Sequence, residues 1–234
     1  MVYNFISNMT STMRLALSNQ QHFCAFCKLS SKNSNLCTSC YELLRRNASY
    51  CICCGRSLSN ATLCGQCLKK PPHYQTLIAG CDYQFPINKA ISRIKFEGQI
   101  DLLKSLSICL IDNIKQSSVP LPDAIIPIPL HPARVSSRGF NQSLFIANQL
   151  AKAFNINVLS DCLIRVKNTP QQIGLTAQQR RNNLKSAFKV IRPIPTRIAI
   201  VDDVVTTTAT ISEASRTCHT HGCQHVSIWC LAKT

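Results

Sequence analysis

The clearest indication of a ligand-binding site in this 234-residue sequence comes from two adjacent carboxylates and the hydroxyl side chains that follow them. Asp202 and Asp203 come directly after the apolar segment 198–201, which has the composition of a buried strand. A helical pattern over 211–221 follows. A polar turn between a strand and a helix favours phosphate, because the first helical amides lack intrahelical acceptors and the helix dipole is positive there. Carboxylates beside the turn accept hydrogen bonds from a sugar diol and help to hold Mg²⁺, so this stretch predicts a sugar-phosphate site.

The sequence Val-Asp-Asp-Val-Val-Thr-Thr over 201–207 resembles the phosphoribosyl pyrophosphate (PRPP) motif of type I phosphoribosyltransferases. The resemblance implies that the two aspartates hold the ribose hydroxyls and form the catalytic pair, while the following turn wraps the 5′-phosphate. The residues implied to bind PRPP are Asp202, Asp203, Val204, Thr206, Thr207, Thr208, Ala209 and Thr210. The alternative is a strand end followed by an ordinary threonine N-cap, which does not require an acidic pair.

One position departs from that family pattern. Thr208 stands where the family usually has glycine or another small residue, which lets a backbone amide approach the phosphate at positive φ. A β-branched residue at positive φ is strained by about 1–3 kcal/mol. We therefore expect either strain at Thr208 or a differently shaped loop. The Thr208 hydroxyl is also a candidate hydrogen-bond donor in place of the amide. The departure bears on catalysis more than on binding.

Eight of the fifteen cysteines form a tandem repeat that predicts metal binding. In each unit nine residues separate two Cys-x2-Cys pairs, and each cysteine of the first unit recurs 27 positions later. Two such pairs complete the tetrahedral sulfur shell that suits Zn²⁺ and leave no open position for water, so we expect two structural zinc ions. The spacing leaves open whether the two sets ligate in sequence or interleave. The expected ligands are Cys24, Cys27, Cys37, Cys40, Cys51, Cys54, Cys64 and Cys67.

Composition indicates a basic protein that is not secreted. The sequence has 26 Lys and Arg against 10 Asp and Glu, a formal charge of +16, which favours polyanions such as nucleic acid or phosphorylated ligands. Solubility alone is the alternative explanation of that charge. We expect a cytoplasmic protein without a membrane span, because no secretory signal pattern and no bilayer-length apolar stretch is visible and metal accounts for the thiols.

The chain order predicts a leader over 1–21, a double zinc-ribbon module over 22–72 and an α/β domain over 73–234. The module is too small to bury enough apolar surface without metal. Lys-Lys-Pro-Pro over 69–72 marks the boundary. Basic residues of the module form either a nucleic-acid surface or an ordinary solvated rim; they are Arg45, Arg46, Arg56, Lys69 and Lys70.

Hydrophobic periodicity predicts the elements that must position the acidic pair. We expect a strand or edge hairpin within 73–85, a helix over 87–96, a break at Gly98 and then a second helix through Lys115. A strand at 123–130, a helix over 142–154 and a last strand at 226–231 should follow. On the first of these helices Arg93 and Lys95 could meet phosphate, although an amphipathic helix explains the pair nearly as well.

An arginine-rich loop precedes the helix over 142–154. It contains Arg134, Arg138 and Gly139, and arginines at the carboxyl end of a strand suit a second phosphate group such as pyrophosphate. Pro-x-Pro-Leu-His over 127–131 and Arg-Gly-Phe-Asn-Gln over 138–142, together with the double cysteine module, are similar to the ComF/GntX family.

That resemblance implies a type I phosphoribosyltransferase-like α/β domain with an open, mainly parallel sheet behind the double zinc ribbon. It implies a competence protein that handles single-stranded DNA during natural transformation and has a retained PRPP-type pocket. It also implies a hood within 163–188, for which an ordinary surface loop and helix is the alternative. Two other functions stay open: an active phosphoribosyltransferase with an unknown acceptor, and a PRPP-sensing regulator. Mg²⁺ would accompany PRPP, and DNA-uptake or recombination proteins are further candidate partners.

Overall fold

The computed structural model describes residues 22–31, 35–46, 49–59, 62–131, 140–167 and 184–234. The leader over 1–21, the arginine loop with Arg134, Arg138 and Gly139, and the middle of the expected hood lie outside the described residues.

The cysteine-rich part folds as two small units of the same kind. Each unit is an antiparallel pair of two-residue strands followed by a short helix. Each helix begins directly after a cysteine, at Cys37 and at Cys64, and carries the next cysteine in its first turn. The elements are β1 (His22–Phe23), β2 (Ser30–Ser31), α1 (Thr38–Leu44), β3 (Ser49–Tyr50), β4 (Ser57–Leu58) and α2 (Gly65–Lys69).

The rest of the described chain alternates strands and helices. Its elements are β5 (Thr76–Asp82), α3 (Ile87–Glu97), α4 (Ile100–Gln116), β6 (Ala124–Pro127), α5 (Gln142–Phe154), β7 (Asn157–Val158), β8 (Leu163–Arg165), β9 (Phe188–Val190), β10 (Arg197–Val205), α6 (Ala209–His219) and β11 (His225–Lys233). The predicted helices over 87–96 and 142–154 are confirmed by α3 and α5. Gly98 ends α3 in the left-handed region, at φ 65°, where glycine has no Cβ penalty.

A five-stranded sheet of order β5-β11-β10-β6-β7 forms the centre, and all four of its pairings are parallel. The predicted open, mainly parallel sheet is therefore confirmed. Segment 73–85 forms the edge strand β5 rather than a hairpin, because β5 pairs in parallel with β11. A separate antiparallel pair, β8 with β9, flanks the sheet.

The central strands are apolar on both faces because helices cover both sides of the sheet. One side packs β10 and β11 against α3, α4 and α5, with Trp229 buried among them. The other side packs the alternate residues of the same strands against α6, β8 and β9. Among the described residues, no helix is both long and apolar enough to cross a membrane.

Candidate sugar-phosphate site and metal centres

The acidic pair lies within strand β10, so the prediction that it follows the end of the strand is wrong. Asp202 pairs in register with Cys230 of β11, and the pairing continues to Val205. On the opposite edge, the pairing of β10 with β6 ends at Val201 and Pro127. Strand β10 continues past the aspartates because β11 continues beside it. On its other edge β6 ends earlier, so among the described residues β10 has no strand partner there from Asp202 onward.

This opening coincides with the switch point of the sheet. The chain leaves β6 through α5 to reach β7 on one side, and it leaves β10 through α6 to reach β11 on the other side. Connections that diverge from neighbouring parallel strands leave a crevice at the carboxyl ends, and ligands of open α/β sheets bind there. The fold thus places the acidic pair at the position where this architecture forms binding sites.

Asp202 is held by hydrogen bonds at the edge of this crevice. Its Oδ1 accepts from Ser143 Oγ at 3.1 Å and from the Asp203 backbone N–H at 2.9 Å. Ser143 lies in the first turn of α5, which Asn141 caps by accepting from the Ser143 backbone N–H. Burial of the carboxyl group and the neighbouring Asp203 charge raise the pKa of Asp202 to about 7, although the residue keeps some exposed surface.

Asp203 forms an ion pair with a lysine of α3. Its Oδ2 lies 2.8 Å from Lys95 Nζ, and its Oδ1 accepts from the Val204 backbone N–H at 2.7 Å. Both partners of the ion pair are largely buried. Of the two basic residues that the sequence offered on this helix, Lys95 reaches the site, whereas Arg93 pairs with Glu97 on the exposed surface at 3.4 Å. Ser143 was not predicted from the sequence to be a site residue. The only sequence feature that could have indicated it is its position directly after the Arg-Gly-Phe-Asn-Gln motif.

The threonine turn connects the acidic pair to the N-terminus of α6. Thr208 is the N-cap residue with φ −66° and ψ 8°, and its side chain makes no capping hydrogen bond. The expected strain at positive φ is therefore absent, and the alternative of a differently shaped loop is correct. The first helical bond runs from the Ser212 N–H to the Thr208 carbonyl, at 2.8 Å, so the amides before Ser212 have no intrahelical acceptor.

The cysteines form two separate groups that each could hold a metal ion. The first quartet is Cys24, Cys27, Cys37 and Cys40, and the second quartet is Cys51, Cys54, Cys64 and Cys67. Within each group the sulfur atoms lie within 4.8 Å of one another, so the two groups come from consecutive stretches of the chain and do not interleave. Cys53 is outside both groups, and its Sγ donates to the Gln75 carbonyl at 3.3 Å.

The sulfur geometry suits a tetrahedral ion. A metal–sulfur bond of about 2.3 Å in a tetrahedron separates the sulfur atoms by roughly 3.8 Å. Cys27 and Cys37 are 3.7 Å apart, as are Cys54 and Cys64. A backbone N–H points at sulfur in each quartet, from Cys40 to Cys37 at 3.5 Å and from Cys64 to Cys51 at 3.4 Å. These amides stabilise thiolate, which is the form that binds metal.

The basic residues expected to form a nucleic-acid surface have different surroundings. The Arg46 side chain is 6% exposed, and its Nε lies 2.8 Å from Asp82 Oδ1. Its Nη2 donates to the Gly55 carbonyl at 2.7 Å, and its guanidinium carbon lies 3.2 Å from the centre of the Tyr50 ring. Arg46 thus holds the second cysteine unit against β5 and is not part of an exposed basic surface.

The other basic residues of the module reach solvent. Arg45 pairs with Glu42 at 3.2 Å on the surface. Arg56 Nη2 donates to Gln66 Oε1 at 3.2 Å, and both residues are exposed. Lys69 and Lys70 are exposed at the end of α2. Among the described residues of the second unit, the exposed positive charges are therefore those of Arg56, Lys69 and Lys70.

Comparison with known proteins identifies the family. The chain is 36% identical over 174 residues to competence protein F of Haemophilus influenzae, covering 71% of this chain and 76% of that protein. The chain belongs to the ComF/GntX family. This ComF chain is also 36% identical over 172 residues, with the same coverage, to the DNA utilization protein YhgH of Escherichia coli O157:H7. Competence protein ComFC of Streptococcus pneumoniae is 28% identical over 153 residues, or 64% of this chain and 66% of that protein.

Two further comparisons add no detail. No family model matches the ComF chain. A purine phosphoribosyltransferase from Pyrococcus horikoshii Ot3 shares 18% identity and a TM-score of 0.34 over 55% of this chain and 70% of that one. Because that TM-score is low, this likeness carries no argument about the fold, and the structure itself shows an open five-stranded parallel sheet.

Proposed function

We propose that this ComF-family protein handles single-stranded DNA in the cytoplasm during natural transformation and has a pocket for PRPP. The names of its relatives support the first part, since one is a competence protein and another a DNA utilization protein. A single observation carries the second part: Asp202 and Asp203 lie beside Lys95 at the switch point of the sheet, directly before the threonine turn.

Each component of this arrangement suits one part of PRPP. The two carboxylates accept hydrogen bonds from the ribose diol and help to hold Mg²⁺. The turn over 206–210 and the free amides of α6 suit the 5′-phosphate. In the ligand-free protein Lys95 neutralises the charge of Asp203. When PRPP binds, the same ammonium group supplies a positive charge to the pyrophosphate group. Arg134, Arg138 and Gly139 are further candidates for pyrophosphate.

Calorimetry with PRPP and Mg²⁺ tests the pocket. The parent protein should bind, and replacing Asp202 and Asp203 together by Asn should abolish binding because the diol and metal ligands lose their charge. Asp101→Asn with Asp161→Asn is the matched control, since both of these carboxylates lie on the surface in exposed ion pairs. Absence of binding to the parent, or undiminished binding to the Asp202/Asp203 variant, contradicts the pocket.

The pH dependence of stability provides an independent check on Asp202. Its pKa is higher in the folded protein than the ordinary 3.8, so the folded state binds the proton more tightly and stability falls as pH rises from about 4 to about 7. We expect Asp202→Asn to raise the melting temperature of the ligand-free protein at pH 8 by about 2–4 °C, a value that allows for the partial exposure of the residue. The difference should vanish near pH 4. A variant that melts below the parent at pH 8 contradicts the raised pKa.

Transfer of phosphoribose is a second candidate function, which the raised pKa of Asp202 favours. A carboxyl group with a pKa of about 7 accepts and returns a proton near neutral pH, as an acceptor substrate requires. Release of pyrophosphate from PRPP in the presence of nucleobases would establish transfer. PRPP binding without pyrophosphate release would instead favour a PRPP-sensing regulator.

We assign Zn²⁺ to both quartets, because four sulfur donors at tetrahedral spacing fit this ion. Bound zinc would tie the strands and the helix of each unit together. Elemental analysis of purified protein should find two zinc ions per chain, and a Cys27→Ser or Cys54→Ser variant should contain one. Iron in place of zinc would overturn the assignment.

The DNA-handling part of the proposal rests on the exposed positive charges of Arg56, Lys69 and Lys70. Replacing all three by Ala should weaken binding of a labelled single strand and lower the slope of log affinity against log salt by about 2, since each phosphate contact contributes roughly 0.7. The control variant removes Lys104, Lys115 and Lys152, three exposed lysines on other helices. Equal slopes for the two variants would exclude the second cysteine unit as the DNA surface.

A further inference from the structure

The second quartet and the threonine turn lie close together, and two side chains connect them. Lys233 is the last residue of β11, and Tyr74 precedes β5. Both are almost completely buried, with 8% and 2% of their surface exposed. A connection between the PRPP site and the second metal site rests on the proposed function, which assigns both sites.

Lys233 extends from the second cysteine unit to the turn. Its aliphatic stem passes Gly55, the residue after Cys54, so closely that a Cβ added to Gly55 would lie 3.1 Å from Lys233 Cγ. Its ammonium group donates to the Thr206 carbonyl at 3.3 Å and to the Thr234 carbonyl. The buried Lys233 side chain thus contacts the second cysteine unit with its stem and the threonine turn with its ammonium group. It therefore couples the positions of these two segments.

Tyr74 provides the second connection. Tyr74 belongs to the same buried cluster as Val205 and Ile211, which lie on either side of the threonine turn. The thiol groups of Cys54 and Cys67 and the hydroxyl of Thr208 act electrostatically on its hydroxyl group. Burial raises the pKa of Tyr74, and the hydroxyl stays protonated. Among the described residues this hydroxyl has no hydrogen-bond partner of good geometry. A buried donor in this position favours any turn conformation in which Thr208 accepts from it.

The first quartet has different neighbours. Cys24 packs into the core that contains α3 and α4. The carbonyl of Asn35, between the two ligand pairs, accepts from Ser105 Oγ of α4 at 2.8 Å. Among the described residues, the side chains that donate to the Thr206 carbonyl of the turn, Lys233 and Thr234, come from the end of β11 and the residue after it.

We propose that the second quartet, when it holds its metal, positions the phosphate-binding turn through Lys233 and Tyr74. Residues 206–208 of the turn are three threonines with no large apolar side chain to anchor them, and ordering such residues costs conformational entropy. A metal-fixed unit provides the rigid support that the turn lacks. Metal occupancy of the second quartet therefore sets the affinity of the turn for a phosphorylated ligand, and Lys233 and Tyr74 are positioning residues.

The central test is Lys233→Met, which keeps the stem and removes the ammonium group. We expect unchanged metal content, faster amide hydrogen exchange over 206–210, and roughly tenfold weaker PRPP binding, the loss typical of a charged hydrogen bond. Lys233→Arg should restore both properties in part. Lys104→Met, on the exposed surface of α4, is the control and should change neither.

Metal removal tests the same connection from the other end. Cys54→Ser should accelerate exchange in the turn, and Tyr74→Phe should do so with both metals still bound. Cys27→Ser in the first quartet should leave exchange in the turn unchanged. Unaltered exchange and affinity in both Lys233→Met and Cys54→Ser would overturn the proposal. If the parent does not bind PRPP, the proposed pocket fails, while the exchange measurements still decide whether the quartet supports the turn.

Discussion

The two cysteine quartets have one spacing and one local fold, yet they support different parts of the protein. The first quartet lies beside the helices that cover one face of the sheet, and Leu36 and Leu44 of its unit are buried in that core. The second quartet forms a small cluster of its own, with Leu58 and Leu63 packed against it. It lies instead against β5 and β11, where Gly55 closely approaches Leu77 and Lys233. A repeated motif thus specifies the same metal-binding geometry twice, while its surroundings decide what each copy does.

One pair of equivalent positions shows how the surroundings differ. Lys28 and Gly55 each follow the second cysteine of a unit, and both have left-handed backbone, with φ 64° and φ 69°. The first unit tolerates a lysine there because the side chain is exposed. The second unit requires glycine, since a Cβ would lie 2.9 Å from Leu77 and 3.1 Å from Lys233.

The largest expected difference between the units is their dependence on metal. Structural zinc contributes about 10–16 kcal/mol to the folding of small units. Cys51→Ser should remove hydrogen-exchange protection over 49–70, because that unit has little apolar core of its own. Cys24→Ser should leave part of the protection of α1, because Leu36 and Leu44 stay in the helical core. Equal loss of protection in both variants would show that packing does not distinguish the units.

The neighbouring arginines give the next largest effect. Arg46→Ala should lower the free energy of unfolding by about 2–3 kcal/mol, less than for a fully buried ion pair because Asp82 stays partly exposed. Arg45→Ala should cost less than about 1 kcal/mol, since its ion pair with Glu42 is on the surface. Urea unfolding measures both values. Similar values for the two variants would contradict the assigned role of Arg46 in joining the second unit to β5.

The smallest effect concerns the equivalent positions after the second cysteines. Gly55→Ala should destabilise the protein by about 1–2 kcal/mol through left-handed strain and the close contacts of the new Cβ. Lys28→Gly should stabilise it by about 0.5 kcal/mol, because relief of the strain exceeds the added chain entropy. Thermal melting with zinc in excess measures both changes. Destabilisation by Lys28→Gly would show that the lysine side chain makes a contact of its own.

Predictions from the sequence succeeded where the signal is local. The cysteine spacing confines each quartet to a short segment, so the two groups follow from chain geometry. The helix over 142–154 has the same bounds in the structure because its apolar residues recur with the helical period and Asn141 caps it.

The site depended on partners distant in the chain, and there the sequence was less informative. The extent of β10 past Val201 depends on the length of β11, which no pattern in β10 reveals. Lys95 and Asp203 are 108 positions apart, and their contact arises because α3 packs on the sheet beside the crevice. Arg46 resembled a surface residue until Asp82 and Tyr50 were found to enclose it.

Residue order alone determines two cysteine quartets with metal-ligand spacing, alternating strands and helices, and an acidic pair before a hydroxyl-rich turn. Those features depend on residues that are close in the sequence, and the covalent backbone fixes the spacing of such residues. Only the folded molecule decides which cysteine unit packs against Lys233, which arginine is buried, and which lysine meets Asp203. These outcomes depend on burial and on ion pairs between segments that are distant in the sequence. Such interactions form only when the segments pack together in the folded protein.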